Sequence, residues 1–271
     1  CRQFGISRKT GYKFLQRYLE VGEPALQDRS RRPQSSPNKT AKEIEALILQ
    51  LRQEHPVWGA RKLKRRLEDL GYENLPAVST ITAILRRHQR ISPESSQKHK
   101  RWQRFCAKAP NELWQMDFKG RFPAKEGHCH PLTILDDHSR YCLCLAACHN
   151  EQKQIVQHHL SRVFGYYGMP NAMLMDNGSP WGGDAEHPYT ELTVWLLRLG
   201  IKVIHSHPYH PQTIGKEERF HRTLKAEAIT HCMGQKHRLC QKIFDRWRLV
   251  YNTQRPHEAL NMNVPAHCYR P

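Results

Sequence analysis

The chain has 271 residues, enough for one to three domains with a substantial hydrophobic core. Its net charge of +18 favours a polyanionic partner, and nucleic acid is the commonest one. The nine cysteines are odd in number and include no CxxC pair, which argues against a complete disulfide framework. No apolar run reaches the ~18 residues of a membrane span, and no signal peptide is present, so we expect a cytosolic protein without membrane contact.

The positive charge is concentrated in the first two fifths of the chain. Residues 1–109 hold 24 Lys and Arg against 10 Asp and Glu, a net charge of +14. Residues 110–271 hold 19 against 15, a net charge of only +4. A solvated charged surface is the plain interpretation, but the clustering predicts a DNA-binding region followed by a different kind of domain.

Residues 1–38 are predicted to be the second half of a helix-turn-helix followed by a basic linker. Ser7 is a suitable N-cap for a helix that carries basic residues, and its partner helix is expected upstream, because the chain opens on Cys1 rather than Met. A recognition helix in a major groove is favoured over a short basic surface helix. The expected DNA contacts on this helix are Arg8, Lys9 and Lys13.

A second helix-turn-helix module is predicted over residues 39–92. Ile44, Leu47, Ile48 and Leu51 form one apolar stripe after Thr40, and two further helices follow near 59–70 and after Val78. The basic side chains of these helices are the expected DNA contacts, although cations also suit helix C-termini. They are Arg61, Lys62, Arg65, Arg86 and Arg87.

The pattern changes after a polar linker over residues 93–110. Strand-like runs occur at 112–118, 131–136, 139–147, 171–175 and 201–205, and helical stretches are predicted at 151–166, 186–199 and 236–252. Three early strands followed by strands alternating with helices predict a mixed α/β sheet over residues 111–252. An irregular tail, 253–271, completes the predicted organisation.

Three acidic residues have distinctive surroundings in this second half. Asp117 lies in LWQMDFKG after an apolar run, Asp176 follows another such run in MLMDNGSP, and Glu218 lies on a helix opened by Gly215. Oxygen ligands suit hard Mg²⁺ or Mn²⁺ ions, which usually act beside phosphates, whereas zinc prefers nitrogen and sulfur. A pair of such ions can serve an in-line phosphoryl transfer.

These segments resemble the DDE transposases of bacterial insertion sequences, whose catalytic core is shared with retroviral integrases. WGARKL and YNTQRPHEAL extend the resemblance over nearly the whole chain. It implies an RNase H-like catalytic core, a mixed five-stranded sheet with flanking helices, preceded by all-α helix-turn-helix modules. It also implies a metal-dependent polynucleotidyl transferase of the bacterial nucleoid. Its expected partners are double-stranded DNA, as terminal inverted repeats and target, and further copies of itself.

The resemblance also selects the third acid. In HPQTIGKEERFHRTLK the matching glutamate is three residues past Gly215, which is Glu218. Glu217 would point about 100° away around the helix, and we expect it to face solvent. Arg222 and Lys225 share the face of Glu218 at i+4 and i+7, where contacts to DNA phosphates are expected.

Several alternatives remain open from the sequence. A nuclease of the same fold would share the carboxylates, and a DNA-binding regulator with an inactive core would lose them. The interval from Asp176 to Glu218 is longer than usual for the family, and WGGDAEHPYTEL could hold the extra residues. Asp136 and Asp137 are expected to form a hairpin, and the His128-Cys129-His130 segment is expected to be structural, without zinc.

Overall fold

The computed structural model describes residues 1–27, 39–91, 106–183, 187–206 and 215–270. The chain divides into two compact units, residues 1–41 and 42–271. No helix among the described residues has the length and apolar character needed to cross a membrane.

The first unit is built around one amphipathic helix. A short 3₁₀ turn, Arg2–Phe4, ends at Gly5, whose φ of 61° is in the left-handed region. Helix α1, Arg8–Val21, follows, and the Ser7 hydroxyl accepts a hydrogen bond from the Thr10 N–H at 3.1 Å. The predicted N-cap is therefore confirmed.

The second unit begins with three helices that share a small core of their own. They are α2, Lys42–Glu54, α3, Ala60–Asp69, and α4, Val78–Arg87. Helix α2 starts two residues after Thr40, within the usual uncertainty of helix ends. The three apolar stripes meet around a fully buried tryptophan, as the sequence periodicity predicts. The core residues are Ile48, Leu51, Trp58, Ala60, Leu63, Leu67, Ile81, Ile84 and Leu85.

A mixed β-sheet forms the centre of the remaining chain. Its main strands are β1, Leu113–Phe118, β3, Gly127–Asp136, β4, Cys142–Cys148, β5, Ala172–Met175, and β6, Lys202–His205. Strand β3 pairs antiparallel with β1 and β4, whereas β1, β5 and β6 run parallel. A short sixth strand, β2, Phe122–Ala124, pairs with the start of β3. The predicted five-stranded mixed sheet is confirmed, with this hairpin added.

Helices cover both faces of the sheet. Helices α5, Lys153–Tyr167, and α6, Glu191–Arg198, pack with Trp114, Met116 and Leu132 in one core. Helices α7, Gly215–Leu224, α8, Thr230–Cys232, and α9, His237–Thr253, supply the core on the other face, with a π-helical turn at Lys225–Ile229. A last short helix, α10, spans Pro265–Cys268. The fold is thus the three-layer α/β architecture expected from the sequence.

One predicted helix is shorter than its pattern indicated, and several predictions fall outside the described residues. Helix α6 begins at Glu191 rather than near 186, because Thr190 and Thr193 form a capping box there. Residues 28–38 and 92–105, which hold most of both predicted linkers, lie outside the described residues. So do 184–186, within the proposed insertion, and 207–214, just before α7.

Candidate active site

Strand pairing brings two of the three predicted acids to one edge of the sheet. Asp117 is the fifth residue of β1, and Asp176 follows β5 directly. The two strands are parallel neighbours, with Gln115 opposite Leu174, so both chains reach their aspartates two residues later. Because the carboxyl ends of parallel strands lie at the same edge, the ladder itself places these side chains together.

The Asp117 carboxyl lies in an environment that disfavours its charge. Its side chain is only 23% exposed. Burial first and the neighbouring charge of Asp176 second raise the pKa of Asp117 to about 7. The nearby charge of Lys119 offsets only part of this effect, and a bound divalent cation would relieve the repulsion between the two carboxylates.

The orientation of Asp176 is fixed by donors from the turn that follows it. Its Oδ1 accepts hydrogen bonds from the Gly178 N–H at 2.9 Å and from the Trp181 indole N–H at 2.5 Å. Its main-chain carbonyl oxygen lies 2.8 Å from Nδ1 of His205 at the end of β6. Sequence reasoning missed Trp181 because it falls in a segment interpreted as an insertion; its position five residues past Asp176 was the available signal.

Helix α7 presents its two adjacent glutamates to opposite environments. Glu217 is completely buried, and its Oε2 lies 3.2 Å from Thr133 Oγ1 on β3 and 3.5 Å from His221 Nε2. Glu218 is exposed. The prediction that Glu217 faces solvent is wrong.

The physical reason for this correction is the apolar stripe of α7. Glu217 lies on the same face as Phe220, His221 and Leu224, all of which are buried against the sheet. Lys216, in the first turn, forms an ion pair with the buried carboxylate of Asp137. Burial, followed by the nearby charge of Asp117, holds the pKa of Glu217 well above its usual value, so its surroundings disfavour the charged form.

His221 lies between this buried acid and the sheet edge. Its Nε2 is 2.8 Å from the Thr133 hydroxyl, and its Nδ1 is 3.7 Å from Oδ2 of Asp117. Burial, with a smaller contribution from Lys119, lowers the pKa of His221 to about 3. The imidazole is therefore neutral near pH 7 and contributes no positive charge to the two aspartates.

The donor set at the sheet edge fits a hard divalent cation. Asp117 and Asp176 offer carboxylate oxygens, which Mg²⁺ and Mn²⁺ prefer, and the charge of Asp176 raises the pKa of Asp117 by more than Lys119 lowers it. Within the described ranges, no group of three or more His, Cys, Asp or Glu side chains is arranged to hold a metal ion. The structure thus brings Asp117 and Asp176 together and leaves Glu218 on the exposed side of α7.

The remaining aspartates and the His128-Cys129-His130 segment, discussed from the sequence, are hydrogen-bonded within the fold or buried in its core. Asp136 accepts from the Ser139 N–H at 2.7 Å, and Asp137 accepts from the Ala107 N–H at 2.7 Å, at the β3–β4 hairpin. Cys129 is buried, and desolvation raises the pKa of its thiol. His130 lies 2.8 Å from Glu151.

The predicted DNA contacts differ in how freely they could reach a phosphate. Most of them are exposed, and the exposed ones are Arg8, Lys9, Lys13, Arg61, Arg86, Arg87, Arg222 and Lys225. Arg61 and Arg87 also form ion pairs, with Glu258 at 3.4 Å and Glu45 at 2.6 Å. Arg65 is partly buried and paired with Asp69 at 2.9 Å.

Lys62 is the least accessible of these candidates. It is partly buried, and desolvation with the nearby charge of Arg255 lowers the pKa of its ammonium to about 7. A lysine that is only partly charged is a weaker phosphate ligand than its exposed neighbours.

Comparison with known families agrees with this architecture. Residues 107–211 match the Integrase core domain family, and residues 199–265 match a second family of the same description. Residues 10–85 match the Homeodomain-like domain family. These matches cover an integrase core domain and, before it, a helical homeodomain-like region.

Two of the similar proteins come from bacterial insertion elements. The insertion element IS476 uncharacterized 39.2 kDa protein of Xanthomonas euvesicatoria is 24% identical over 237 residues, which are 85% of this chain and 65% of that protein. The insertion element IS407 uncharacterized 31.7 kDa protein of Burkholderia multivorans is 25% identical over 58% of this chain and 55% of its own length. The chain thus spans less than two thirds of the length of either relative.

A solved structure supports the fold. One chain of the simian T-cell lymphotropic virus intasome in complex with PP2A regulatory subunit B56 gamma superposes with a TM-score of 0.52. The match covers 83% of this chain and 75% of that one, at 16% identity. The resemblance predicted from the sequence, to insertion-sequence transposases with a retroviral-integrase-like core, is confirmed.

Proposed function

We propose that this protein is a DNA transposase that cleaves DNA at the ends of its element and joins the freed 3′ hydroxyl to target DNA. The observation that carries the proposal is the Asp117–Asp176 pair, set side by side by two parallel strands in an integrase-core fold. Insertion-element relatives support the same activity class. The helical modules favour a transposase over a nuclease with the core alone.

The acids would hold one or two Mg²⁺ or Mn²⁺ ions, with Glu218 as the third ligand. Glu218 is exposed at the start of α7, whereas Glu217 is buried where its charged form is disfavoured, which makes it the poorer cation ligand. When bound, such ions polarise the attacking oxygen and offset charge that develops on the phosphoryl group. Asp117 lies within β1, paired with Thr133 of β3, and Asp176 directly follows β5, so both acids would be positioned by the strand pairing next to them.

The basic side chains would hold the DNA. Arg222 and Lys225 are exposed, at four and seven residues past Glu218, and would contact phosphates beside the acids. The exposed basic residues of α1, α3 and α4 would bind the terminal inverted repeats, and their phosphate contacts would make affinity fall steeply with salt. Assembly of several copies on DNA belongs to the same proposal.

The decisive experiment is strand transfer by the full chain. Labelled DNA carrying the element's ends, a supercoiled plasmid and Mg²⁺ are incubated with the protein, and joined products are resolved on a gel. Joining that stops with a chelator and with Asp117→Asn supports the proposal. Glu126→Gln, in an exposed turn between β2 and β3, is the matched control and should join normally. Cleavage without joining would instead identify a nuclease.

A further inference from the structure

We propose that Trp181 is a positioning residue for the Asp176 carboxylate: its indole N–H holds Oδ1 so that Oδ2 remains available to a divalent cation shared with Asp117. This inference rests on the proposed function, which supplies the divalent cation. It concerns a residue outside the sequence motifs that contain the three acids. Trp181 does not touch the reacting atoms in this role. It acts through the carboxylate that it holds.

The hydrogen bonds of Asp176 are unevenly divided between its two oxygens. Oδ1 accepts from Trp181 Nε1 at 2.5 Å and from the Gly178 N–H at 2.9 Å. Across the described parts of the chain, no donor reaches Oδ2. An aspartate's terminal torsion is otherwise broad and roughly two-fold, so two donors on one oxygen select a single orientation.

The tryptophan is itself held rigidly. It is 1% exposed, and its ring stacks on Phe118 with centroids 5.5 Å apart and planes 8° from parallel. Phe118 directly follows Asp117 on β1. One ring therefore contacts the segment that carries the first aspartate and donates to the side chain of the second.

The turn after β5 reverses the chain and brings the Trp181 ring next to Asp176. The Trp181 and Gly182 N–H groups both donate to the Gly178 carbonyl oxygen, at 3.2 and 2.6 Å. A Cβ on Gly182 would lie 1.8 Å from the Asn177 carbonyl oxygen, so the turn requires glycine there. This close return is what brings an indole five residues along the chain back to the carboxylate.

A purely structural tryptophan would fill the same space without using its N–H. Trp181→Phe separates the two roles, because phenylalanine retains an aromatic ring against Phe118 and removes the donor. Partners that orient a metal ligand typically account for 10- to 100-fold in metal affinity. We therefore expect Trp181→Phe to weaken Mn²⁺ binding by about tenfold or more.

Trp247→Phe is the matched control. Trp247 is also buried, and its indole N–H also donates to a carboxylate, Glu227 Oε2, at 2.9 Å. Both variants lose one aromatic N–H and some packing, so their thermal unfolding midpoints should fall by similar amounts. Only the Trp181 variant should lose metal affinity.

The measurement is Mn²⁺ binding by the full chain without DNA, followed through the electron paramagnetic resonance signal of the free ion. Wild type, Trp181→Phe, Trp247→Phe and Asp176→Asn are compared. Weaker binding by Trp181→Phe alone among the tryptophan variants, with strand transfer recovered at high Mn²⁺, supports the inference. Unchanged affinity in Trp181→Phe, equal losses in both tryptophan variants, or no Mn²⁺ binding by wild type that depends on Asp176 would overturn it.

The same experiment separates this inference from the proposed function. Metal binding that depends on Asp176 and Trp181 in a protein that joins no DNA would sustain the positioning role and refute the transposase assignment. Strand transfer by wild type, with no effect of Trp181→Phe on metal affinity, would support the transposase assignment and refute the positioning role of Trp181.

Discussion

The sheet edge and helix α7 deliver acidic side chains to one region of the molecule by different physical means. At the sheet edge, the ladder between β1 and β5 fixes Asp117 and Asp176 through backbone pairing. On α7, the rotation of the helix decides which of two adjacent glutamates is buried. A strand position is thus determined by its partner strand, whereas a helix position depends on the whole apolar stripe.

The largest effect should come from the sheet edge. Asp117→Asn and Asp176→Asn remove one carboxylate each and should reduce strand transfer by about 100- to 1,000-fold or more, as for loss of a group that stabilises developing charge. DNA affinity in a gel shift should not fall, because neither change removes a basic residue. A variant that binds DNA poorly as well would mean that the substitution disturbs folding rather than chemistry.

The two glutamates of α7 should separate clearly in the same assay. We expect Glu218→Gln to lose strand transfer and Glu217→Gln to retain most of it, since burial disfavours the charged form of Glu217 and glutamine preserves its shape. The opposite result would assign the third ligand to the buried glutamate next to Asp117. Both variants should be checked for folding by circular dichroism before their activities are compared.

The raised pKa of Asp117 predicts a pH-dependent stability difference. A carboxyl whose pKa rises from 3.8 to about 7 on folding keeps its proton in the native state after the unfolded chain has lost it, so its contribution destabilises the fold as pH increases. Without metal, Asp117→Asn should therefore gain stability over wild type between about pH 4 and pH 7, by at most about 1.4 kcal/mol per pH unit.

Urea unfolding of both proteins at several pH values measures this difference directly. Comparison of variant with wild type is required, because His221, whose pKa is lowered to about 3, contributes with the opposite sign as pH falls below its unfolded value. A difference that stays constant with pH would show that Asp117 ionises normally in the folded protein.

The smallest effect concerns the exposed face of α7. Arg222→Ala should weaken DNA binding and reduce the slope of log affinity against log salt by about one, as for the loss of one phosphate contact. Arg246→Ala, an exposed arginine on α9, is the control and should leave the slope unchanged. Equal effects of the two substitutions would indicate general electrostatics rather than a contact beside Glu218.

Much of the fold could be predicted from the sequence, for reasons that differ between elements. The strands and the α2–α4 stripes follow directly from apolar periodicity, and Ser7 was predicted as an N-cap from its residue type and position. Helix α6 was overextended because its start depends on a side-chain capping box between two threonines. Such reciprocal bonds are not visible in hydrophobic periodicity.

The candidate site was only partly predictable. Asp117 and Asp176 could be selected from their motifs, whereas their adjacency depends on the parallel pairing of β1 with β5, which the sequence analysis did not predict. The motif spacing alone predicts that Glu217 faces solvent. The stripe of Phe220, His221 and Leu224, also present in the sequence, indicates instead that Glu217 is on the buried face of α7. Trp181 was missed because its role depends on a turn that reverses the chain, and long-range geometry of that kind has no sequence periodicity.

The ion pair between Lys216 and Asp137 favours the observed rotation of α7 about its axis. Rotation of α7 by about 100° would exchange the two glutamates, but it would also turn Phe220 and Leu224 away from the sheet. Lys216 is bound to a carboxylate at the β3–β4 hairpin, so that rotation would separate a buried pair. The ion pair thus supports the same rotation of α7 that the apolar stripe selects, and substitution of Asp137, on another element, should affect α7 through this contact.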